Sequence, residues 1–435
     1  MVMSIFLSVS TALFSGLMFT RVFKAMNVNF PDVTAFLLAG LLIGPCGLGR
    51  LGIEGLGFTT YQSVEEIGLI NTAALGFIAF SIGSEFRLSA LKQTGKAATV
   101  IGILQALTAT LLVDAALLGL SFVLGGDVLP QEAAITLGAI ASATAPAATL
   151  MVVRQYKAEG PLTRLLLPIV ALDDAVGLVV FSVSFGIAQA MKGGNLDIFS
   201  IAVDPSLEIV FSVLLGSVLG LVLSKIEKLF YSNTNRLSMT ISFVFLTIAL
   251  SFLEIPVGRA KITFSSLLVC MMLGTVFCNT SEFSENIMSK ADKWTAPLNA
   301  AFFVLSGAAL ELGVFTHPKY ILIGVVYILV RALGKYTGAR ASSTVMGCDK
   351  KTRKYLGITL LPQAGVALGM CSQAMALGEA EGSLIRNVTL FGVLVYELLG
   401  PLMTREALTR AGEISVKPAE KQDRARFKPA HAGKA

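Results

Sequence analysis

Apolar segments long enough to cross a lipid bilayer recur along the whole 435-residue chain. A helix needs about 20 mostly apolar residues to cross the hydrocarbon core. We number thirteen such segments as spans 1 to 13, at residues 4–20, 33–49, 66–84, 98–123, 133–153, 165–188, 208–224, 238–253, 263–278, 297–315, 320–339, 355–377 and 387–404. Charged residues make up 14% of the chain, against about 25% in soluble proteins. The sequence therefore predicts an all-α polytopic membrane protein, because lipid admits only helices and closed barrels and the alternation of barrel strands is absent.

The distribution of lysine and arginine between alternate loops predicts the orientation. Eighteen of these residues fall in the loops on one side and six in the loops on the other. Because cytoplasmic loops carry the excess of positive charge, we expect an outside N-terminus and a cytoplasmic C-terminus in the inner or plasma membrane. The net charge of +6 then reflects basic residues near anionic lipid and not a nucleic-acid-binding surface. Residues 409–435 are predicted to form a basic, disordered cytoplasmic tail.

The residue types in the sequence argue against several classes of function. His317 and His431 are the only histidines and fall in a predicted loop and the tail, so no histidine relay crosses the membrane. The five cysteines are scattered without the spacing of metal ligands. An ion channel would need a continuous polar path or repeated filter loops, and neither is seen. We expect neither an enzyme nor a bound cofactor.

Ionisable side chains from three spans reach one depth in the predicted membrane. Eight to ten residues beyond the nearest basic loop residue correspond to about 12–15 Å of helix, which is close to the bilayer centre. Four residues satisfy this count: Asp173 and Asp174 in span 6, Arg331 in span 11 and Glu397 in span 13. Lys335 lies one turn closer to the cytoplasm. A charge at this depth costs about 2.5–3.5 kcal/mol on the mildest scale, so these residues are functional candidates.

The balance of these charges points to exchange. If spans 6, 11 and 13 pack together, three acids meet two bases and leave one excess negative charge. A proton or a small monovalent cation can neutralise it, since hard cations prefer oxygen ligands. Asp173 and Asp174 differ by about 100° in direction on a helix, so one can be held by a base while the other faces a cavity. We expect Arg331 to hold Asp173 as part of the exchange, or to form a purely structural ion pair with Asp173 or Glu397. We expect Lys335 and Asp114 to be structural.

Two spans carry helix-breaking residues at matching positions. Span 5 contains Thr144 and Pro146 in "ATAPAATL", and span 12 contains Pro362 and Gln363 in "LLPQAGVALGM". Proline removes a backbone donor and clashes with the preceding turn. Interrupted helices at corresponding places in two halves indicate a transporter site. Seven spans separate them, so spans 4–6 and 11–13 are predicted to be inverted repeats.

The residues that carry these features also carry a resemblance to a known family. Four stretches matter: "FLLAGLLIGPCGLGRLG", "AFSIGSEF", "ATAPAATLMVVRQYKAEGPLTRLLLPIVALDDAVGLVVFSV" and "LLPQAGVALGM". The chain resembles the monovalent cation/proton antiporters, in particular the two-aspartate sodium/proton exchangers, over roughly residues 5 to 410. The third stretch is the most specific, because it combines the broken helix, a basic loop and the aspartate pair in order.

The resemblance implies a homodimer in which a mobile core with two crossed broken helices moves against a dimerisation scaffold, like an elevator. We define the segments by residue number: scaffold 1–94 and 236–316, core 95–192 and 317–408, and linker 205–230.

The resemblance also assigns roles at the site. Asp174 would carry H⁺ or a cation, most simply Na⁺ or Li⁺, with Asp173 and Thr144 as further ion-binding residues. The supporting residues would be Arg331, Glu397, Lys335, Pro146 and Gln363. Many members have a lysine at the position that Arg331 occupies in this chain. Lys335 would be the residue that matches this lysine if the alignment of span 11 shifts by one helical turn.

Ala145 replaces an acid that some members have after the threonine. Because arginine keeps its proton, we expect electroneutral exchange. The alternatives are K⁺/H⁺ antiport and symport of Na⁺ with an organic anion.

Overall fold

The computed structural model describes residues 2–26, 31–53, 57–84, 88–192, 198–257, 260–310, 318–363 and 365–414. The α-helices in this part of the chain are α1 (Val2–Ala25), α2 (Asp32–Ile43), α3 (Tyr61–Glu65), α4 (Gly68–Ser84), α5 (Leu88–Leu124), α6 (Gln131–Ile140), α7 (Pro146–Gln155), α8 (Pro161–Met191), α9 (Ile198–Ile226), α10 (Asn233–Ser251), α11 (Ser266–Thr280), α12 (Ser284–Ala308), α13 (Pro318–Val345), α14 (Lys350–Thr359), α15 (Gly365–Ala374) and α16 (Glu379–Ala411). Strands β1 (Ile255–Val257) and β2 (Ala260–Ile262) form a short antiparallel pair.

The helices confirm the predicted all-α membrane architecture. Each of the thirteen predicted spans coincides with one helix, except spans 5 and 12, which each coincide with two short helices. Within the described residues, seven helices are long and apolar enough to cross a membrane, and three shorter apolar helices accompany them. The chain is therefore a multi-pass membrane protein.

The helices of the predicted scaffold approach one another closely. A Cβ on Gly40 of α2 would lie 1.9 Å from the carbonyl oxygen of Val304 in α12. A Cβ on Gly307 of α12 would lie 2.1 Å from the carbonyl oxygen of Leu37 in α2. Glycines at such crossings let helix backbones touch, which is a common basis of helix association in lipid. Larger residues at these two positions would force α2 and α12 apart.

Helices α5–α8 and α13–α16 repeat one pattern, a long helix, two ten-residue half-helices and another long helix. Each boundary of α14 and α15 lies 219 residues after the matching boundary of α6 and α7. For example, α6 begins at residue 131 and α14 at 350, and α7 begins at 146 and α15 at 365. The breaks cover residues 141–145 and 360–364, the second including Ala364, which lies outside the described residues. The backbone N–H of Ala145 donates to the carbonyl oxygen of Pro362 at 2.8 Å, so the two breaks meet.

The predicted core and scaffold segments each supply most of one buried apolar cluster. In the core, Leu137 and Phe181 pack with Val388, while in the scaffold Phe77 packs with Leu273. A further cluster joins the two where α7 and α8 lie against α2 and α12. The broken helix α6–α7 is therefore placed beside the scaffold along one surface.

Candidate ion-binding site

A buried ion pair lies where the two breaks meet. Asp173 of α8 and Lys335 of α13 have fully buried side chains, and Lys335 Nζ lies 3.1 Å from Asp173 Oδ2. Burying two charges is expensive unless they are paired and their remaining hydrogen-bonding capacity is used. A pair at this depth therefore requires further partners around it.

Lys335 finds these partners at the first break. Its Nζ donates to the carbonyl oxygen of Ser142 at 2.5 Å and to Thr144 Oγ1 at 2.9 Å. The Thr144 hydroxyl in turn lies 3.3 Å from the carbonyl oxygen of Leu360, in the second break. The structure thus brings together three of the predicted site residues, Asp173, Thr144 and Lys335, which come from two helices and a break.

Arg331 does not hold Asp173, so the predicted pairing is wrong. Its Nε, Nη1 and Nη2 instead donate to the carbonyl oxygens of Ala141 at 3.0 Å, Leu361 at 2.8 Å and Ala143 at 2.6 Å. The guanidinium also lies 4.4 Å above the ring of Tyr396. Lys335 is the base at Asp173, as the one-turn shift in register would have it. Its structural role stays a prediction.

The position of Arg331 follows from the ends of the half-helices. Helices α6 and α14 both end at the breaks, and the last carbonyls of a helix lack partners and carry about half a negative charge. One guanidinium with five donors can satisfy carbonyls from both breaks at once. Arg331 therefore binds carbonyl oxygens of both breaks, just beyond the ends of α6 and α14, which is a different task from binding a carboxylate.

The other supporting residues surround the breaks. Gln363 Nε2 donates to the carbonyl oxygen of Ile140 at 3.0 Å and to the Tyr327 hydroxyl at 2.8 Å. Pro146 occupies the first turn of α7, where the missing backbone N–H removes no hydrogen bond from the helix. Glu397 of α16 is 7% exposed, and no hydrogen bond or ion pair joins it to another described side chain. The predicted acid on span 13 is thus buried but apart from the Asp173–Lys335 pair.

Asp174, the predicted ion carrier, belongs to α8, but its side chain lies outside the described part of the structure. The divergence of the two aspartates therefore stays a prediction. Helix α8 also contains Pro168, five residues before Asp173, where the backbone lacks one donor.

Gln105 of α5 is a site residue that the sequence reasoning missed. Its side chain is fully buried, and Nε2 donates to Asp173 Oδ1. Gln105 carries no charge and lies on an unbroken span, so neither charge at mid-membrane depth nor a helix break marks it. The available signal was that Gln105 is the one glutamine of span 4, in the otherwise apolar stretch "IGILQALTAT".

A cavity of about 1580 Å³ opens between the predicted core and scaffold segments. Its wall includes Arg154, Lys157, Arg164 and Lys293, all predicted to lie on the cytoplasmic side. The lining reaches Pro168, about 8 Å along α8 from Asp173. The cavity thus approaches the buried pair from one side, but Asp173 is not one of the residues that line it.

Comparison with known proteins agrees with this geometry. The family model described as "Sodium/hydrogen exchanger, transmembrane" matches residues 9–410. The chain belongs to the sodium/hydrogen exchanger family. The predicted family is confirmed, and the protein is a membrane cation/proton antiporter and not an enzyme.

Relatives cover nearly the whole exchanger chain at low identity. The K⁺/H⁺ antiporter subunit KhtU of Bacillus subtilis is 24% identical, covering 88% of this chain and 89% of its own length. The Na⁺/H⁺ antiporter NhaS4 of Synechocystis is 22% identical, covering 90% and 93%. The solved structure of the sodium proton antiporter MjNhaP1 from Methanocaldococcus jannaschii at pH 8 has a TM-score of 0.66 and 19% identity, covering 94% and 97%. This last match shows the fold of the exchanger.

Proposed function

We propose that this exchanger moves Na⁺ or Li⁺ against H⁺ across the cell membrane, with both ions competing for Asp174. Asp173 and Thr144 form the adjoining part of the site. The observation that carries the proposal is the buried Asp173–Lys335 pair at the meeting point of two broken helices. Freed carbonyls and fixed charges at such a point are suited to bind and release an ion.

The charge balance supports competition at Asp174. At the predicted mid-membrane level, the three acids Asp173, Asp174 and Glu397 exceed the two bases Arg331 and Lys335 by one negative charge. A proton or a monovalent cation removes that excess, and both cannot do so at once. K⁺/H⁺ exchange is the second candidate, since KhtU bears that name, whereas the relative NhaS4 is named for Na⁺. Symport of an organic anion is less well supported, because the site is rich in acids.

The proposal includes an elevator-like movement of the core, residues 95–192 and 317–408, against the scaffold. The cavity beside α7 and α8 supports it, because a space between two bodies on one side is what an inward-open state requires. We place this side in the cytoplasm because its loops hold the excess of basic residues. We further propose a homodimer in the plasma membrane that contributes to pH homeostasis and needs no cofactor, as the resemblance implies.

The experiment is cation-driven proton movement in proteoliposomes that hold an internal pH dye. Adding Na⁺ or Li⁺ outside should drive protons out of vesicles that contain the wild-type protein, and adding K⁺ should give a smaller response. Asp174→Asn should abolish the signal, while Asp127→Asn, an amide change in the exposed loop before α6, should leave it intact. Near-normal exchange by Asp174→Asn would refute the assignment, and a response to K⁺ alone would establish the second candidate.

A further inference from the structure

A second cavity, of about 560 Å³, lies at the surface between α14 and α16. Its volume falls within the range of about 300–1,000 Å³ that is usual for ligand sites. The wall combines the apolar side chains of Ile358, Leu402 and Met403 with two arginines, Arg405 and Arg410. None of the residues that line it also lines the cavity beside α7 and α8. We call this second cavity the α14–α16 groove.

One exposed row of α16 changes from apolar to charged along this groove. Leu399 and Met403 are 48% and 38% exposed, and both are apolar. Glu406 and Arg410 follow at helical spacing on the same face, and their side chains are also exposed. Because charged side chains avoid the hydrocarbon region, the change between Met403 and Glu406 marks the level at which that region ends.

Helix α14 shows the same change on the other wall. It begins with the basic stretch "KKTRK" at residues 350–354, and Tyr355 and Ile358 then line the groove. Lys354 is exposed, and its Nζ lies 5.3 Å from the centre of the Tyr355 ring. Both walls are therefore basic at one end and apolar at the other. The positive-inside rule predicts that the basic end faces the cytoplasm.

The basic end of the groove carries a net positive charge. Lys354, Arg405 and Arg410 bring three positive charges, and Glu406 brings one negative charge. Arg410 donates to Glu406 through Nε, at 2.7 Å, so this ion pair does not use its two terminal nitrogens. The Tyr156 ring lies 5.4 Å from the Arg405 guanidinium, a contact with the ring face that uses no N–H donor. The groove is thus suited to an anion.

We propose that the α14–α16 groove binds an anionic phospholipid of the cytoplasmic leaflet. Arg405 and Arg410 would bind its phosphate, because guanidinium groups match phosphate with paired hydrogen bonds. An acyl chain would then lie on the apolar wall. Basic pockets between membrane helices on the cytoplasmic side commonly bind anionic headgroups. The inference goes beyond the proposed function, and it holds for any transported cation.

The charge of the groove favours lipid over protein as its occupant. Residues 415–435, which follow α16, contain six lysines and arginines against two acids, so they would meet charge of the same sign. A symmetric contact with a second copy of the chain would also bring two positively charged groups together. An anionic phospholipid supplies both the opposite charge and the apolar chain that the two ends of the groove require.

The test is quenching of tryptophan fluorescence by brominated lipids in vesicles. Trp294 is the only tryptophan, so Trp294→Phe gives a silent background for Met403→Trp in the groove. At equal mole fractions, brominated phosphatidylglycerol should bind at position 403 about fivefold more strongly than brominated phosphatidylcholine. Leu333→Trp is the matched control, because Leu333 is 54% exposed on α13 outside the groove. The two lipids should quench the control equally.

Charge variants in the Met403→Trp protein then identify the residues that bind the headgroup. Arg405→Gln and Arg410→Gln should each reduce the preference for phosphatidylglycerol by about half or more, and Glu406→Gln should increase it. Arg340→Gln, an exposed basic residue on α13, should leave it unchanged. The Arg410 side chain is 64% exposed, so Arg410→Gln decides the outcome alone if Arg405→Gln does not fold.

Three results would overturn the proposal. Equal quenching of position 403 by the two lipids would show that the groove does not select an anionic headgroup. Displacement of phosphatidylglycerol by inorganic phosphate at constant ionic strength would show that the site binds a soluble anion. Protection of position 403 from both lipids would show that protein covers the groove. None of these measurements depends on exchange, so failure of the proposed function would leave them unaffected.

Discussion

Arg154 at the end of α7 lies 2.7 Å from Asp292 of α12, Nη1 to Oδ1, and this contact joins the broken helix to the scaffold. Ser81 of α4 donates to the same carboxylate oxygen at 2.6 Å. The next residue, Gln155, accepts a hydrogen bond from the backbone N–H of Asp32 at 2.8 Å. A core that moves against the scaffold must release the contacts of Arg154 and Gln155, whereas the Ser81–Asp292 bond lies within the scaffold.

The first prediction concerns this link. Arg154→Met and Asp292→Asn should each favour the state in which the cytoplasmic cavity is closed. Partly exposed ion pairs contribute about 0.2–1 kcal/mol, so the population should change by up to about fivefold. The measurement is labelling of Ala296→Cys, which lies in the cavity wall, by an impermeant maleimide in inside-out vesicles after the native cysteines are replaced. Labelling should slow in both variants.

The control for this link is an ion pair that stays within one helix. Arg410 and Glu406 of α16 are also 2.7 Å apart, Nε to Oε1. Glu406→Gln should not change the labelling of position 296. Equal labelling in the wild type and both link variants would show that the contact does not restrain the movement.

The second prediction concerns stability at the breaks. Arg331→Met should lower the free energy of unfolding by several kcal/mol, because three buried carbonyls lose their donor and each costs about 1–3 kcal/mol. Arg331→Lys should fall between this variant and the wild type, since one ammonium does not span both breaks. Arg340→Met, at an exposed position of the same helix, should be nearly neutral. Thermal unfolding in detergent measures the difference, and equal melting of the Arg331→Met and Arg340→Met variants would contradict it.

The third prediction reverses the expectation of electroneutral exchange, which depended on an arginine at Asp173. With Lys335 there, a cation that displaces the ammonium lets lysine release its proton, because a buried lysine changes its protonation readily. We expect an imposed membrane potential to alter the wild-type rate and to have little effect on Lys335→Arg. A wild-type exchange rate that does not change with the membrane potential would contradict this prediction and support electroneutral exchange.

The spans and breaks could be predicted because they depend on local properties. Apolar length sets where a helix can cross, and Pro146 removes a backbone donor and disfavours helical backbone at the residue before it. The depth count also placed Asp173, Arg331 and Lys335 near one level. These inferences need only the rise of a helix and the position of its cytoplasmic end.

The partner of Asp173 could not be predicted because it depends on packing between helices. Arg331 and Lys335 lie one turn apart on one face of α13, and a count from loop residues does not resolve one turn. Gln105 was out of reach for a related reason, since only the rotation of α5 against α8 decides whether an amide faces a carboxylate or lipid.

The last prediction concerns Asp349, which caps the half-helix α14. Its Oδ2 accepts from the backbone N–H of Lys351 at 3.0 Å and of Thr352 at 3.1 Å. Burial alone would raise the pKa of Asp349, but these bonds and one from the Thr352 hydroxyl hold the pKa below its ordinary value of 3.8. A lowered folded-state pKa means that the stabilisation is complete above the ordinary value and is lost as the pH falls through the folded-state value.

Asp349→Ala should therefore reduce the free energy of unfolding by about 1 kcal/mol at neutral pH, and the gap from wild type should close as the pH falls below about 4. Asp349→Asn keeps an acceptor oxygen for the same N–H groups and should lose much less at neutral pH. Melting temperatures in detergent between pH 3 and 7 test both statements. A gap that widens towards acidic pH would mean that the carboxylate does not cap this helix in the folded protein, because protonation would then be removing a repulsion and not a hydrogen-bond acceptor.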